Sequence, residues 1–259
     1  GVLLVTEIIR GAVEDKNRLR ELARQGQSFG FVPTMGALHR GHLCLIEQAG
    51  AENDRVVVSI YVNPTQYDDP EDLASYPRPI EQDLEKAWAA GADIAFLPEY
   101  DDLYADDYRY RITEGQLSRE LEGAHRDGHF DGVLTVVMKL FGIVRPDRAY
   151  FGEKDWQQLQ LVQDMARAFF LDLEVVPCPI VREADGLAMS SRNVRLTPEE
   201  RRLAPEFHRV LSSGLPPGQM AQALEEAGFG VDYVEQHGDR ILGAVRLGKV
   251  RLIDNVEAR

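Results

Sequence analysis

Two histidines three residues apart, His39 and His42, stand out as candidates for phosphate chemistry. They lie in PTMGALHRGH (33–42), between a strand-like run and a helix-like one. The first amide groups of a helix lack internal partners and attract anions. Imidazole N–H groups on that turn would add hydrogen bonds that strengthen as charge develops on a phosphate. Gly36 would let the backbone approach a ligand, and Gly41 would permit a tight helix entry. A capped loop with two surface histidines explains the same residues about equally well.

A zinc site is an alternative for the same histidines. His125 and His129 in AHRDGHF have a ligand-like spacing and could complete a set with His39 and His42. No carboxylate or thiolate stands at a matching spacing, so the phosphate interpretation is favoured.

Two further segments carry groups suited to a triphosphate. Lys154 in YFGEKDWQQ (150–158) follows a strand-like run, where an ammonium group can act as a point charge on a phosphate. A helix cap by Asp155, closed by Gln158, explains the neighbours of Lys154 but not the lysine itself. The loop GLAMSSRN (186–193) offers hydroxyl, amide and guanidinium donors, and a plain surface loop is its alternative.

Neutral polar side chains follow another strand-like run. Asn63 and Gln66 in YVNPTQY (61–67) offer both donors and acceptors. Such groups suit the hydroxyls and carboxylate of a small polar acid. Asn-Pro is also a common turn signal, which leaves a purely structural role open.

Strand-like and helix-like segments alternate in a way that would position these groups. SFGFVP (28–33) precedes a helical pattern at 41–53, RVVVSIYV (55–62) precedes a helix at 80–91, and ADIAFLP (92–98) follows it. Later, an apolar run (132–144), RAYFG (148–152), a helix (155–170) and LEVVPCPIV (173–181) occur. This order predicts a Rossmann-like α/β fold, a parallel sheet wound on both faces by helices. Ligands of such sheets bind beyond the carboxyl ends of the strands, where PTMGALHRGH begins.

The pattern changes after residue 190. TPEE (197–200) predicts a helix start with Thr197 as cap and Glu200 completing a capping box. Two extended stretches, 229–237 and 249–256, suggest a small antiparallel sheet. We therefore expect a sheet domain over 1–181 and a smaller α+β, lid-like domain over 182–259.

Composition restricts the partners. Acidic residues outnumber basic ones 43 to 29, giving a formal charge of −14, so a nucleic-acid partner is not expected. No apolar run approaches the roughly 20 residues of a membrane span. The first fifteen residues lack the features of a signal peptide. Two distant cysteines, Cys44 and Cys178, indicate reduced thiols and a cytoplasmic protein, with Cys44 as a small buried helix residue.

Six segments together resemble the pantothenate synthetase family, ATP-dependent ligases that join pantoate to β-alanine. VPTMGALHRGH, SIYVNPTQ, YPR, GHFDGVLTVV, FGEKDWQQL and READGLAMSSRN occur in this order. The resemblance is dense from about residue 28 to 205 and returns at RLIDN (251–255). Its first motif is similar to the HxGH motif of the wider nucleotidyltransferase superfamily.

The resemblance implies a set of site residues. His42, His39 and Lys154 would be catalytic. Gln66, Gln158, Asn63 and Arg126 would bind pantoate and β-alanine, and Gln82 and Asp83 would lie in a magnesium region. The residues expected to bind ATP are Met35, Gly36, Ala37, Leu38, His39, Arg40, Gly41, His42, Gly152, Glu153, Lys154, Asp155, Val181, Met189, Ser190, Ser191 and Arg192.

The family's reaction would proceed through pantoyl adenylate, with Mg²⁺ accompanying ATP and a homodimer as the expected assembly. Two departures from the family pattern are expected to matter. Thr65 replaces the methionine usual in NPMQ, which could loosen the packing of the pantoate pocket. The region after 205 is shorter than the family usually shows, so a reduced lid-like domain is expected. A nucleotidyltransferase acting on a phosphorylated acceptor is the enzymatic alternative. A non-catalytic nucleotide-binding protein is the other, and the intact histidines and lysine argue against it.

Overall fold

A computed structural model describes residues 7–258 and divides them into two compact units. The first unit ends at 178 and excludes 153–156, and the second comprises 153–156 and the chain from 179 onward. Residues 1–6, on which part of the signal-peptide expectation rests, and residue 259 lie outside the described residues. The expected ranges were 1–181 and 182–259. In the structure the boundary falls after residue 178, and residues 153–156 group with the second unit.

The first unit contains a six-stranded parallel sheet and its helices. The strands are β1 (Glu7–Ile9), β2 (Phe29–Thr34), β3 (Arg55–Ile60), β4 (Ile94–Phe96), β5 (Arg148–Gly152) and β6 (Glu174–Cys178). The helices are α1 (Ala12–Arg24), α2 (Arg40–Glu52), α3 (Pro70–Ser75), α4 (Ile80–Ala90), α5 (Tyr100–Leu103), α6 (Glu122–His125), α7 (His129–Val144) and α8 (Trp156–Ala168), whose first residue groups with the second unit. Single 3-10 turns span Pro64–Gln66 and Leu117–Arg119.

The sheet has the strand order β1-β4-β3-β2-β5-β6, and each pairing is parallel. From β2 the chain builds outward through β3 and β4, then returns to β5 on the other side of β2. The order therefore reverses between β2 and β5. In open α/β sheets the ligand crevice lies at the carboxyl ends of such a strand pair.

Both faces of this sheet are covered by helices. On β2, Val32 packs in a core cluster with Ile46 of α2 and Ala87 of α4. Its neighbour Phe31 points to the opposite face, where its ring meets Phe141 of α7 at 6.4 Å between centroids. Strands buried on both faces are mostly apolar, which explains the three consecutive valines (56–58) of β3. The expected Rossmann-like α/β architecture is confirmed.

The second unit contains a three-stranded antiparallel sheet with helices packed against it. Its helices are α9 (Pro198–Leu203), α10 (Pro205–Leu211) and α11 (Pro217–Glu226), and its strands are β7 (Gly230–His237), β8 (Arg240–Leu247) and β9 (Val250–Glu257), in the order β7-β8-β9. Two 3-10 turns, Glu153–Asp155 and Ser191–Arg195, belong to it. The predicted capping box is present, since Thr197 Oγ1 accepts from the Glu200 amide and Glu200 accepts from the Thr197 amide.

Three further findings concern the sequence-based expectations. Cys44 is half-buried on α2, so the expectation of a buried cysteine is wrong, because the buried face of α2 is formed by Leu45, Ile46 and Ala49. Cys178 is buried and its thiol lies 3.1 Å from the side-chain oxygen of Gln48, with no disulfide to Cys44. Within 7–258, no helix combines the length and the apolar character needed to cross a membrane.

Candidate active site

The side chains of His39 and His42 both accept hydrogen bonds from backbone amides at the start of α2. His39 is the cap residue, and its Nδ1 accepts a hydrogen bond from the Gly41 amide at 3.0 Å. The Nδ1 of His42 accepts from the His39 amide at 3.2 Å. The two rings lie 4.0 Å apart between centroids. The arrangement is a capping box in which two imidazoles take the places usual for serine and glutamate.

This capping determines the tautomer of both rings. A neutral imidazole that accepts at Nδ1 carries its proton on Nε2. The hydrogen-bond pattern therefore assigns an Nε2–H donor to each half-buried histidine. The phosphate-donor and helix-cap interpretations of the sequence are thus compatible, because they use different atoms of the same ring.

The loop before α2 has a backbone that few residues adopt. Gly36 and Ala37 have φ of 81° and 50°, both in the left-handed region. A Cβ on Gly36 would lie 2.9 Å from a carboxylate oxygen of Asp83, and one on Gly41 would lie 2.7 Å from the His39 ring. Both glycines are therefore required by contacts within the protein, a reason that the sequence did not reveal.

Asp83 of α4 holds this loop. One carboxylate oxygen accepts from the Ala37 amide at 2.9 Å, and the other accepts from the Leu38 amide at 2.8 Å. On the same helix Lys86 Nζ donates to the Leu38 carbonyl at 2.9 Å. The Asp83 side chain is fully buried. Successive backbone amides in a left-handed turn form a concave anion-binding site. In this loop the anion bound there is the carboxylate of Asp83.

These contacts bear on the magnesium region implied by the resemblance. Asp83 is enclosed and uses both oxygens on the backbone, while Gln82 next to it is exposed. Mg²⁺ binds in octahedral geometry through ligands that keep lone pairs available to it. Asp83 does not fit that requirement, and the geometry gives it a loop-holding role instead.

Two other members of the expected ATP set make side-chain contacts in this region. Arg40 is exposed and forms a two-point ion pair with Glu47 at 2.7 and 2.9 Å. Met35 Sδ lies 3.4 Å from Gln66 Nε2 and 3.7 Å from the Tyr67 hydroxyl. The loop after β2 therefore meets the turn after β3, as the parallel pairing of these strands requires.

Asn63 organises that second turn. It is buried, and its Nδ2 donates to Gln66 Oε1 at 3.1 Å and to the Gly132 carbonyl at 3.2 Å. Its Oδ1 accepts from Thr65 Oγ1 at 3.0 Å and from the Tyr104 hydroxyl at 2.7 Å. Both amide hydrogens and both oxygen lone pairs are thus used inside the protein.

The consequence falls on Gln66. Because its Oε1 accepts from Asn63, its Nε2 is directed toward Met35 and is the amide group able to meet an acceptor. Burial raises the pKa of Tyr104 to about 12, which keeps its hydroxyl protonated as the donor to Asn63. Thr65 adds its hydroxyl to the same network by donating to Asn63 Oδ1, and its effect on the packing of the pantoate pocket stays a prediction.

Helix α7 supports this turn at very short range. A Cβ on Gly132 would lie 2.5 Å from the Thr65 carbonyl, so only glycine permits the approach. His129 Nδ1 lies 2.8 Å from the Gln66 carbonyl, and Arg126 Nη1 lies 3.3 Å from His129 Nε2. A carbonyl can only accept, so Nδ1 carries the proton and Nε2 accepts from Arg126. Arg126 is also within 3.8 Å of Asp68 and of Glu122.

These contacts leave the zinc alternative without support. The side chain of His129 is bonded to the turn after β3, and those of His39 and His42 are bonded to backbone amides at the start of α2. Among the residues that the structure describes, no three histidine, cysteine, aspartate or glutamate side chains are grouped so as to hold a metal ion.

The two adjacent glutamines at the start of α8, Gln157 and Gln158, differ in burial and in their contacts. Gln157 is buried, accepts from the Glu122 amide at 3.0 Å and donates to the carbonyls of Leu117 and Glu120, both at 2.8 Å. Gln158, the expected pantoate ligand, is half-buried one residue later. It follows β5, whose carboxyl end lies beside that of β2 at the reversal of strand order.

The remaining expected ATP residues fall mostly in the second unit. Lys154 lies in the 3-10 turn Glu153–Asp155 and is half-buried. Within residues 7–258 its ammonium group has no hydrogen-bond or ion-pair partner. Gly152, by contrast, ends β5 in the first unit.

The segment 181–192 forms a short hairpin and a capped turn. The Met189 amide donates to the Val181 carbonyl at 3.0 Å, and the tight turn between them uses Gly186 with φ of 95°. Ser190 Oγ caps the following 3-10 turn by accepting from the Arg192 amide at 3.2 Å. Ser191 and Arg192 are half-buried on this turn.

Comparison with known proteins now identifies the family. A family model described as pantoate-beta-alanine ligase matches residues 7–257. Pantothenate synthetase from Bdellovibrio bacteriovorus is 54% identical over 253 residues, covering 98% of this chain and all of the relative. The chain belongs to the pantoate–β-alanine ligase family. It is therefore an ATP-binding ligase of pantothenate formation.

Solved structures agree with this assignment. Pantoate-beta-alanine ligase from Francisella tularensis, complexed with beta-gamma ATP and beta-alanine, is 38% identical with a TM-score of 0.93 and covers 98% of both chains. Pantothenate synthetase from Thermus thermophilus is 41% identical with a TM-score of 0.88, covering 98% of this chain and 99% of that one. The chain spans nearly the full length of these relatives, so relative to them its C-terminal region is not shortened.

Several residues that hold expected site residues in place, within one unit or within the other, were not recognised in that role from the sequence. Asp83 was assigned to a metal, Tyr104 and Gln157 were not singled out, and Asn255 of the second unit was noticed only within RLIDN. Each of them has polar or charged residues within two positions in the sequence, so no local signal marks it as buried.

Proposed function

We propose that this ligase condenses pantoate with β-alanine through a pantoyl-adenylate intermediate, releasing AMP and pyrophosphate. The observation that carries the proposal is the pair of histidines at the α2 N-terminus, each with an Nε2–H assigned by its internal hydrogen bond. Two such donors beside the amide groups of a helix start suit a phosphate on which negative charge increases.

The first step joins pantoate to the α-phosphorus of ATP. A carboxylate oxygen of pantoate attacks that phosphorus, and the bond to the bridging oxygen breaks as pyrophosphate leaves. In this proposal His39 and His42 donate to the phosphate oxygens and Lys154 neutralises charge on the leaving group. Mg²⁺ enters as part of the nucleotide substrate, and no protein side chain is assigned to it.

Gln66 is proposed to hold pantoate. Asn63 fixes the orientation of the Gln66 amide, which presents Nε2 to a carboxylate or hydroxyl oxygen of the acid. Asn63 itself then acts on pantoate only through Gln66. Gln158 and Arg126 remain predicted substrate ligands. Arg126 is held beside Gln66 through His129.

The second step transfers the acyl group. The amine of β-alanine attacks the acyl carbon, the bond from that carbon to the AMP oxygen breaks, and the amine loses a proton. No bond to the protein is needed, so positioning of the reactants carries much of the rate enhancement. The mixed anhydride is sensitive to water, and the segment Met189–Arg192 is proposed to exclude it.

Isotope transfer tests the intermediate directly. Pantoate labelled with ¹⁸O in its carboxylate should deliver one ¹⁸O atom to AMP, because the attacking oxygen stays on phosphorus when the amide forms. Mass spectrometry of the AMP produced in a reaction with ATP and β-alanine provides the measurement. Unlabelled AMP, or ADP with labelled phosphate, would rule out the adenylate route.

Omission of one substrate separates this proposal from the nucleotidyltransferase alternative. We expect pyrophosphate release in a single turnover with pantoate and ATP, and sustained AMP formation only when β-alanine is added. Release with phosphorylated acceptors in place of pantoate would favour the alternative. A homodimer in the cytoplasm remains a prediction from the resemblance and the two reduced thiols.

A further inference from the structure

The side chain of Asn255 on β9 is attached to the turn that carries Lys154. Its Nδ2 donates to the carbonyl of Glu153 at 2.8 Å and to that of Lys154 at 3.1 Å, across about a hundred residues of sequence. Asn255 is 1% exposed, so water does not replace these bonds. Both hydrogens of one amide are therefore used to fix two successive carbonyl groups.

The asparagine is itself held in one orientation. Arg240 Nη1 donates to its Oδ1 at 3.2 Å, and its backbone amide donates to Asp254 Oδ1 at 2.7 Å. If the carboxamide rotated by half a turn, its oxygen would face two carbonyl oxygens and its nitrogen would face a guanidinium. The contacts of Arg240 thus make the donor direction unambiguous.

Arg240 reaches the same turn by two other contacts. Its guanidinium lies 3.5 Å from Glu153 Oε2 and lies over the ring of Trp156, 4.2 Å from the centroid. Residues on both sides of Lys154 are therefore fixed through β8 and β9. Lys154 itself is held at its carbonyl, and its ammonium group remains available.

The same end of β9 also holds the hairpin before Met189. Arg182 forms a two-point ion pair with Asp254 at 2.7 and 3.0 Å. It also donates to the carbonyls of Gly186 at 3.1 Å and Asn255 at 3.3 Å. Two neighbouring residues of β9 thus fix both segments of the second unit that are proposed to contact ATP.

We propose that Asn255 is a positioning residue for the adenylation step, acting through the backbone of Lys154. This inference rests on the proposed function of Lys154 and extends it to a residue that does not touch the nucleotide. A long lysine side chain is effective only if its backbone is fixed, because displacement by about 1 Å can lower a rate by about a hundredfold.

The variant Asn255→Asp tests this with almost no change of shape. Its carboxylate can still accept from Arg240, but its second oxygen would face the carbonyls of Glu153 and Lys154 without a hydrogen to offer. We expect kcat for AMP formation to fall about tenfold or more, with a smaller change in the KM of pantoate. Ile241→Val, which removes one methyl group from the core of the same unit, is the matched control and should stay within twofold.

A double-mutant cycle shows whether the effect passes through Lys154. In a Lys154→Ala background, Asn255→Asp should cause little further loss of single-turnover adenylation. Losses that multiply in the double variant would overturn the proposal, as would a folded Asn255→Asp enzyme within twofold of the parent. If Asn255→Asp does not fold, Arg240→Lys replaces it, because it removes the guanidinium that orients Asn255, and the same dependence on Lys154 is expected.

A substrate-free measurement keeps this inference separate from the proposed function. In a Trp88→Phe background Trp156 is the remaining tryptophan, and its emission reports the turn. We expect Asn255→Asp to shift that emission and Ile241→Val not to. An unchanged emission contradicts the inference, whereas a parent enzyme that forms no AMP from ATP, pantoate and β-alanine contradicts the proposed function alone.

Discussion

At the scale of single residues, the histidine pair shows how one side chain can serve both folding and catalysis. Nδ1 of each ring completes the first turn of α2, and Nε2 carries the hydrogen proposed to meet phosphate. The two functions can be separated by substitution, because asparagine reproduces an acceptor near Nδ1 and has nothing at the position of Nε2.

We therefore expect His42→Asn and His42→Ala to differ in stability but not in activity. Both should lose single-turnover adenylation by ~10²-fold or more, since each lacks the donor. His42→Asn should unfold close to the parent, whereas His42→Ala should be less stable by about 1 kcal/mol, because the His39 amide loses its hydrogen-bond acceptor. Urea titration and pyrophosphate release provide the two measurements. An active His42→Asn enzyme would show that Nε2 is not required.

Asp83 provides a second test at this scale. Asp83→Asn places an amide nitrogen against the amide of Ala37 or Leu38, so we expect a loss of about 1–3 kcal/mol in stability together with slower adenylation. Gln82→Ala, at the exposed neighbour, should change neither quantity. The decisive measurement is a Mg²⁺ titration: recovery of the Asp83→Asn enzyme at high Mg²⁺ would indicate a metal ligand, and a loop anchor predicts none.

At the scale of secondary-structure elements, helix α1 contains a residue, Asp15, that lowers the stability of the folded protein at neutral pH. Asp15 is fully buried, and neither of its carboxylate oxygens has a hydrogen-bond partner among the described residues. Burial, together with the charges of Glu7 and Glu14, raises the pKa of Asp15 from 3.8 to about 7. The folded protein therefore binds this proton more tightly than the unfolded chain does.

The sign of the resulting pH dependence follows from linkage. Below pH about 4 the group is protonated in both states, and the destabilisation develops as the pH rises from there to about 7. We expect Asp15→Asn to be more stable than the parent by a few kcal/mol at pH 8, with the difference becoming small near pH 4. Urea unfolding at several pH values measures it, with Glu85→Gln, at an exposed position of α4, as control. A difference that does not vary with pH would contradict this account.

The sequence predicted those elements whose signals are local. Helices α2 and α4 begin and end within one residue of the expected 41–53 and 80–91. Strand β8 was missed because Gly243 interrupts its apolar pattern, and the structure shows why: a Cβ there would lie 2.9 Å from the Phe207 ring. The apolar run 132–144 was not assigned, since α7 is buried on most of its surface and the run's two polar residues, Thr135 and Lys139, are too few to show a helical period.

At the scale of the whole molecule, the sequence predicted two folding regions but not their membership. Residues 153–156 group with the second unit although they follow β5 and begin α8 in the chain. Their membership depends on Arg240 and Asn255, and no periodicity or motif near residue 153 refers to residues so far away. Likewise, the spacing of His39 and His42 indicated phosphate chemistry. The contact of the buried Asp83 carboxylate with the loop before α2 could be seen only in the structure.

That membership limits how the protein can be divided or recombined. A fragment that begins at residue 179, the last boundary between the units, would contain Asn255 and Arg240. It would lack Lys154, whose turn these two residues hold. A chimaera that takes about its last eighty residues from a distantly related protein would likewise be mismatched. Lys154 would come from one parent, and the strands β8 and β9 that hold its turn would come from the other. Exchange of modules in this family should therefore succeed only when both stretches of chain are transferred together.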